Sequence, residues 1–522
     1  MRLVRWICLV GLAGLAAAQP CGLKQALKPW QQNALAAQDQ QLRIALATQD
    51  SGSIRQLYQA RRLVLGTEAG FPALAVQGAP LGPPAPWLSQ EQVLALLNHT
   101  LEDQADIFDH LDLMARGYLP GSQGTAGQPN LSPVAAGEYA LALLQTANLL
   151  TDEKQKVRYL DLGLKTLDQL EQLAESRGTF PYPQLEGQRQ LQIPPVLQRY
   201  YAYLPGDSLR LPAARPWQWE PDPLGQDLYA NGRLCGVYVQ AYAETNYDAY
   251  KQTATQLATW LLAHPPVVAA RYNADLIYGL AYAYSLQQDE RYLQRALAVC
   301  RQGLLPAQLA HGVWMDSLDA QPQAHARILE GMAALLRQLP KEHADRPHTV
   351  ARFAAAVRYL LQQYRACGNT AGLDWALAVH SVEGLPAELQ DDVSTLIGQL
   401  TQQTEAIQDI PVLARYARQL ATANLTDRSS SSGQEATLTA FPVTPNPFQD
   451  YAMISFEVPE RCPVVLKVLN AKGKQLAVLI DEEREAGIYH IRWDSSRQPD
   501  GAYLFQLTLK GRAYLRKADL KR

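Results

Sequence analysis

Ala274-Asp275-Leu276-Ile277-Tyr278-Gly279-Leu280-Ala281-Tyr282-Ala283-Tyr284 is the stretch from which the fold can be read. In it Tyr278 and Tyr282 stand four apart, one helical turn, and repeat the pair Tyr238 and Tyr242 forty residues earlier. Tyr250 and Tyr292 follow the two pairs at nearly the same offset. A period of about 40 residues, in which no single unit can bury its own apolar face, is the pattern of stacked helical hairpins. Working outward, the hairpins are predicted at 135–150 with a partner to about 175, 229–244 with 247–262, 274–286 with 290–305, 324–339 with 349–364, and 373–382 with 387–403. Thr151 is placed to cap the second of these helices, with Asp152 and Glu153 complementing the dipole in its first turn. At least five hairpins between Leu94 and Gln403 can form either an open solenoid or a closed ring.

Two stretches, the one quoted above and Tyr242-Ala243-Glu244-Thr245-Asn246-Tyr247-Asp248-Ala249-Tyr250, resemble the α/α-toroid, or six-hairpin, proteins. The resemblance spans about 135–403 and is one of texture, without a family-defining catalytic motif. It implies hairpins around a funnel that often holds a glycan. The expected fold class is multidomain and mainly α, a helical-hairpin α/α toroid followed by a small C-terminal immunoglobulin-like β-sandwich. The expected divisions are a signal peptide at 1–18, a helical and Pro-rich segment at 19–88, the toroid-like domain at 89–420, a Ser-rich linker at 421–440 and the sandwich at 441–522.

Those divisions rest on local signals. Arg2 and Arg5, the apolar run Trp6 to Leu15 and Ala16-Ala17-Ala18 read as an export signal cleaved before Gln19. The apolar core is too short for a permanent span, and no later run of about 18 apolar residues follows. Residues 24–65 suit one or two surface helices, and Pro72, Pro80, Pro83, Pro84 and Pro86 then break the pattern. Ser89 and Gln92 have capping-box spacing ahead of Val93. Residues 177–226 are a long Pro-rich and aromatic interruption, of the kind that is usually functional when it is not disordered. The run Ser429-Ser430-Ser431-Ser432-Gly433 has linker composition.

Beyond the linker the period changes from helix to strand. Ala452, Ile454, Phe456 and Val458 alternate with polar or smaller residues, as do Val464, Leu466 and Val468; Leu476, Val478 and Ile480 form a third run, Tyr489, Ile491 and Trp493 a fourth, and Tyr503, Phe505, Leu507 and Leu509 a fifth. Turn residues separate the five runs, the pattern of a small sandwich. Pro445-Asn446-Pro447-Phe448, Ile454-Ser455-Phe456, Ala486-Gly487, Trp493-Asp494, Gly501-Ala502-Tyr503 and Lys517 resemble the type IX secretion system C-terminal sorting domain of Bacteroidetes-like bacteria, in order over 442–522. Two departures are Gln449-Asp450, where the family often has Asn-Pro, and Pro442-Val443-Thr444 ahead of the motif. The resemblance implies type IX machinery as a partner, and a secreted or outer-surface location after passage through the periplasm. An ordinary immunoglobulin-like accessory module is the alternative.

Charge argues against a polyanion partner: 47 Lys and Arg against 50 Asp and Glu leave a formal net charge of −3 over 522 residues. Nucleic acid is therefore not an expected partner. Of six cysteines, Cys8 lies in the signal, and Cys21, Cys235, Cys300, Cys367 and Cys462 show no zinc-ligand spacing. An odd number in an oxidising compartment leaves at least one thiol unpaired, and a Cys235 to Cys300 bridge is one option that spacing alone does not decide. No metal or cofactor is implied.

Serine-elbow, zincin, P-loop and dinucleotide motifs are absent, so candidate chemistry falls to constellations. The densest is His311-Gly312-Val313-Trp314-Met315-Asp316-Ser317-Leu318-Asp319, followed by His325 and Arg327. Glycan cleavage needs an acid and a base, and lyases need charge neutralisation. Asp316, His325 and Asp275 are the expected catalytic groups, and Arg327 a carboxylate clamp. Trp314, Phe180 and Trp217 are candidates for stacking on a sugar, with Tyr272 as a further substrate contact. The glycine-aromatic turns holding Phe180 and Trp314 equally suit the closing of hairpin tops. Asn273 suits an N-cap, with Tyr229 and Asn231 corresponding one repeat earlier. Two functions fit: a polysaccharide hydrolase, lyase or epimerase, or a noncatalytic helical-repeat surface protein that presents a groove to a peptide, glycan or protein.

Overall fold

A computed structural model describes residues 29–65, 85–103, 133–150, 152–171, 179–180, 223–245, 247–309, 312–314, 322–367, 373–402, 410–429, 441, 443–444, 446–458, 460–470, 474–509 and 512–522. In them the helices are α1 (Pro29–Thr48), α2 (Ser51–Leu65), α3 (Gln90–Asp103), α4 (Pro133–Leu149), α5 (Glu153–Glu171), α6 (Pro223–Thr245), α7 (Asp248–Ala263), α8 (Ala270–Gln287), α9 (Glu290–Val299), α10 (Pro322–Gln338), α11 (Arg346–Cys367), α12 (Leu373–His380), α13 (Ala387–Thr401) and α14 (Ile410–Ser429). The strands are β1 (Val443–Thr444), β2 (Tyr451–Val458), β3 (Cys462–Asn470), β4 (Gln475–Arg484), β5 (Gly487–Asp494), β6 (Gly501–Leu509) and β7 (Arg512–Leu520). The chain thus has the fold class read from its sequence: mainly α, made of hairpins of the kind α/α toroids stack, and closed by a small antiparallel β-sandwich.

Contacts divide the chain into two units interleaved along the sequence: Met1–Ala85, Pro265–Ala274 and Ala298–Leu400 in one, and Pro86–His264, Asp275–Leu297 and Thr401–Arg522 in the other. In the first, α1 and α2 form a hairpin, and α10 packs on α11 and α12. Asp50 caps α2 by accepting the Gly52 and Ser53 N–H groups, both at 3.1 Å. Arg346 is buried because its guanidinium takes the carbonyl ends of α10, at Leu336 (2.6 Å) and Leu339 (2.5 Å), and also Glu383 O at 3.0 Å. Those carbonyls have no helical partner of their own.

The second unit is organised by α4, which is apolar on nearly every side and packs on α5, α6 and α14. Val134, Ala136, Tyr139 to Leu144 and Ala147 are all buried, as a helix without a wet face requires. The capping box at Ser89 and Gln92 is formed, with reciprocal bonds of 2.8 and 3.2 Å. Thr151 lies outside the described residues; the first turn of α5 is capped by Asp152 Oδ1, which accepts Gln155 N–H at 2.9 Å.

Several expectations shift. Residues 410–429 form a helix, so α14 extends into the segment whose composition reads as linker; Ala-, Leu- and Arg-rich sequence meets no Gly or Pro there after Pro411. The helix expected from 290 to 305 ends at Val299 and passes into a π turn at Cys300–Leu304 and a 3₁₀ turn at Leu305–Ala307, where Pro306 removes an amide donor. Besides the five expected strands the sandwich has β1 and β7. Its sheets run β1-β2-β5 and β4-β3-β6-β7, antiparallel throughout.

Several residues between Asn446 and Lys517 knit this sandwich. Phe448 is fully buried at its centre, with ring centroids 5.9 Å from Trp493 and 6.0 Å from Tyr503. Asn446 Oδ1 accepts Asp519 N–H at 2.9 Å, and Phe448 exchanges backbone bonds with Asp519 and Lys521. Tyr503 donates its hydroxyl to Pro499 O at 2.5 Å, and Gly501 sits at φ +150°, a left-handed value that disfavours side chains. Lys517 is exposed, 3.8 Å from Asp519. Pro445 lies outside the described residues.

Candidate functional site

Two amide clamps fix the geometry of the hairpins. The sequence places Asn273 as a helix cap, but α8 begins at Ala270 and Asn273 lies inside it, fully buried. Its side chain accepts Val267 N–H (2.8 Å) and donates to Val267 O (2.7 Å) and Gly303 O (2.9 Å). Asn231 in α6 does the same to Phe180, at 2.8 Å from N and 3.1 Å from O, and also donates to Asp227 O at 2.9 Å. Each amide presents one donor and one acceptor edge to a passing residue, as a neighbouring strand would, and so satisfies buried backbone away from any sheet.

Two residues beyond each clamp stands a buried charge, Arg233 in α6 and Asp275 in α8, 5% and 1% exposed. The helices cross so closely there that a Cβ on Gly232 would run into the Asp275 carbonyl. The Arg233 Nε lies 3.4 Å from Glu138 Oε1 of α4, and its guanidinium stands 4.6 Å from the centre of the Tyr278 ring. Gly236 leaves room for that ring, since a Cβ would meet it. Tyr278 in turn contacts Tyr282, at 4.7 Å between centroids. Glu138 keeps 29% side-chain exposure, which makes it the carboxylate of this group with solvent access.

In the other unit, His325 is 2% exposed and lies between the rings of Trp314 (5.7 Å) and Tyr359 (5.2 Å). Burial pushes the Tyr359 hydroxyl up to about 12. The Tyr272 ring carries the guanidiniums of Arg271 at 4.9 Å and Arg327 at 5.9 Å. Glu330, also buried, precedes Gly331, where a Cβ would strike the Ala274 carbonyl.

Two expected stacking platforms are enclosed. Trp314 is fully buried, donates its indole N–H to Leu304 O at 3.1 Å and pairs with Gln308 in an antiparallel bridge. Gly312 leads into it at φ +102° with Ala355 O against its α-carbon, a position only glycine fills. Phe180 is 1% exposed and stacks on Tyr238 at 6.0 Å. Neither ring offers a face to a sugar; both close hairpin tops, the other role their glycine-aromatic turns suit. Tyr272 is likewise only 3% exposed. Asp316 and Trp217 lie outside the described residues, as does 181–222 of the long interruption. Glu138, Arg233 and Glu330 belong to no motif: Glu138 is the single charge of an apolar helix, Arg233 and Glu330 share their helices with other charges, and only helix periodicity marks them as inward.

Cys235, Cys300 and Cys462 are free and buried, so the Cys235 to Cys300 bridge does not form. The Cys235 thiol approaches Gly279 O (3.4 Å) and Ala254 O (3.6 Å), and burial pushes Cys235 and Cys300 each up to about 12, which makes them inert. Among the described residues no three His, Cys, Asp or Glu side chains gather as metal ligands, and no helix is long and apolar enough to cross a membrane.

No family model matches the chain, and no curated protein matches it. Among solved structures it is similar to a GH127 β-L-arabinofuranosidase from Geobacillus stearothermophilus T6, with 10% identity and a TM-score of 0.36 over 84% of this chain and 85% of that one. A second GH127 β-arabinofuranosidase has 10% identity and a TM-score of 0.33 over 83% and 84%. At that degree of superposition neither assigns an activity to this chain.

Proposed function

We propose that the helical hairpins bind and process a polysaccharide. The observation that carries the reading is the α6–α8 crossing, where the buried guanidinium of Arg233 lies 3.4 Å from the half-buried Glu138 carboxylate with Tyr278 beside it, and where the buried Asp275 stands on the facing helix. Burying charge is costly, so such residues stay in an interior when pairing or chemistry retains them. Glycosidic cleavage draws on two carboxyl groups, one giving a proton to the leaving oxygen and one acting on the opposite side of the sugar. Here the solvent-accessible Glu138, oriented by Arg233, takes one of those parts, and Asp275 is the candidate for the other. His325, Arg327 and Asp316 remain candidates for proton transfer and for holding an acidic sugar. Trp217 remains a candidate for stacking, and Tyr272 for substrate contact. Passage through the periplasm and type IX export to the medium or outer surface belong to the same proposal, on the strength of residues 1–18 and the motif residues of the sandwich.

Purified protein on a panel of polysaccharides tests this, with Asp275→Asn, Glu138→Gln, Asp316→Asn and His325→Ala alongside. Turnover that falls by about 100-fold or more in Asp275→Asn and Glu138→Gln, with binding kept, supports the assignment. Binding without turnover across the panel moves the function to the second reading, a noncatalytic helical-repeat surface protein. The enclosure of Phe180, Trp314, Tyr272 and His325 favours that second reading. For export, a mature N-terminus at Gln19, and retention in the periplasm when 441–522 are deleted, are the expected results.

A further inference from the structure

The outward faces of the sandwich's two sheets differ. On β3 and β6 the outward residues Val465, Lys467, Leu469, Leu504, Gln506 and Thr508 are half-buried, as a solvated sheet face should be. On β2 and β5 the inward set is Ala452, Ile454, Phe456, Tyr489 and Trp493, yet the outward Met453, Ser455 and His490 are also buried, at 4%, 3% and 1% exposure. Alternation fails because α6 packs on β5.

Polar contacts from the helices land on this face at two places. In one, Asn148 of α4 donates to Glu244 at Oε2 (2.6 Å) and at its backbone O (3.2 Å). Its Oδ1 is thereby turned to His490 Nε2, so that nitrogen carries the proton, and Nδ1 accepts the Ser455 hydroxyl at 2.7 Å. Arg418 of α14, 3.1 Å from Glu244 Oε1, offsets the buried carboxylate. In the other, Arg492 pairs with Asp168 of α5 while its guanidinium lies 4.2 Å from the centre of the Tyr451 ring. Tyr250 O–H stands 3.5 Å from the second Asp168 oxygen. A directional chain from Arg418 to Ser455 tolerates few substitutes, so the face is specific to what covers it.

We infer that the three-stranded face of the sandwich is a docking surface whose occupant is the helices α4, α5, α6 and α14 of the same unit, and that the sandwich stays bound there when the connecting chain is cut. This holds whether or not the helical unit turns over a glycan. The sandwich is therefore no freely tethered label.

A specific protease site inserted between Ser430 and Gly433 of the full chain tests it. After cleavage the two fragments are expected to co-elute on gel filtration at micromolar concentration. Arg492→Asp should weaken their association by roughly 30-fold or more, and adding Asp168→Arg should restore it. Arg492→Met keeps the stem over Tyr451 and reads the same contact should charge reversal prevent folding. Separation of the unsubstituted fragments on cleavage, or co-elution undiminished in both Arg492 variants, would overturn the inference.

Discussion

Asn231-Gly232-Arg233 in α6 and Asn273-Ala274-Asp275 in α8 occupy the same turn of successive hairpins, and they differ in an instructive way. The asparagine makes the same two-edged clamp in both. The third residue reverses its charge. What repeats is the device that docks an incoming segment onto a helix; what varies is the group presented beside it. The second residue belongs to the first class, since both are small where neighbouring backbones approach.

The comparison breaks first at Gly232. Gly232→Val drives a branched side chain into the Asp275 carbonyl, and backbone cannot swing aside, so a loss of about 3 kcal/mol in urea unfolding is expected. The matched Ala274→Gly should cost only about 1 kcal/mol. Next, Asn231→Ala and Asn273→Ala each strand one buried N–H and at least one carbonyl, and should each lower stability by roughly 2–3 kcal/mol. Similar values would sharpen the idea of a shared clamp; a cost under about 1 kcal/mol at either would sink it.

A response to acid is expected at His490. Burial pulls its imidazole down from the usual value near 6.5 to about 3. Between those values the unfolded chain takes up a proton that the folded chain refuses, so stability is held above pH 6.5 and falls as pH drops, by up to about 1.4 kcal/mol per unit. A pH series of unfolding curves should show that slope, flattened in His490→Gln. The smallest effect is expected at Arg301, more than half exposed in its pair with Asp345: Arg301→Ala should change stability by no more than about 1 kcal/mol.

The hairpins and most of the strands were legible because each keeps one apolar face in register with a single period, as with Tyr238, Tyr278 and Leu280, or Ile454 and Phe456. Strand β7 was not: Arg512, Arg516, Lys517 and Asp519 interrupt its alternation, as charges do on an edge strand. Asn273 was legible as a special position but misplaced in role, because a capping residue and an internal clamp share the same short amide. Trp314 and Phe180 misled for a related reason, since a glycine-aromatic turn that closes a hairpin and one that greets a ligand have the same composition. The docked face of the sandwich left only a faint trace, the neutral Met453 and Ser455 and the lone His490 where outward positions are usually charged.

The buried thiols supply a built-in set of clocks. Cys300 lies in one compact unit, Cys235 in the helices of the other, and Cys462 in the sandwich. With the remaining cysteines replaced, the rate at which each is alkylated under native conditions would time the opening of its own region. The three rates together would tell whether the molecule breathes piecewise or all at once.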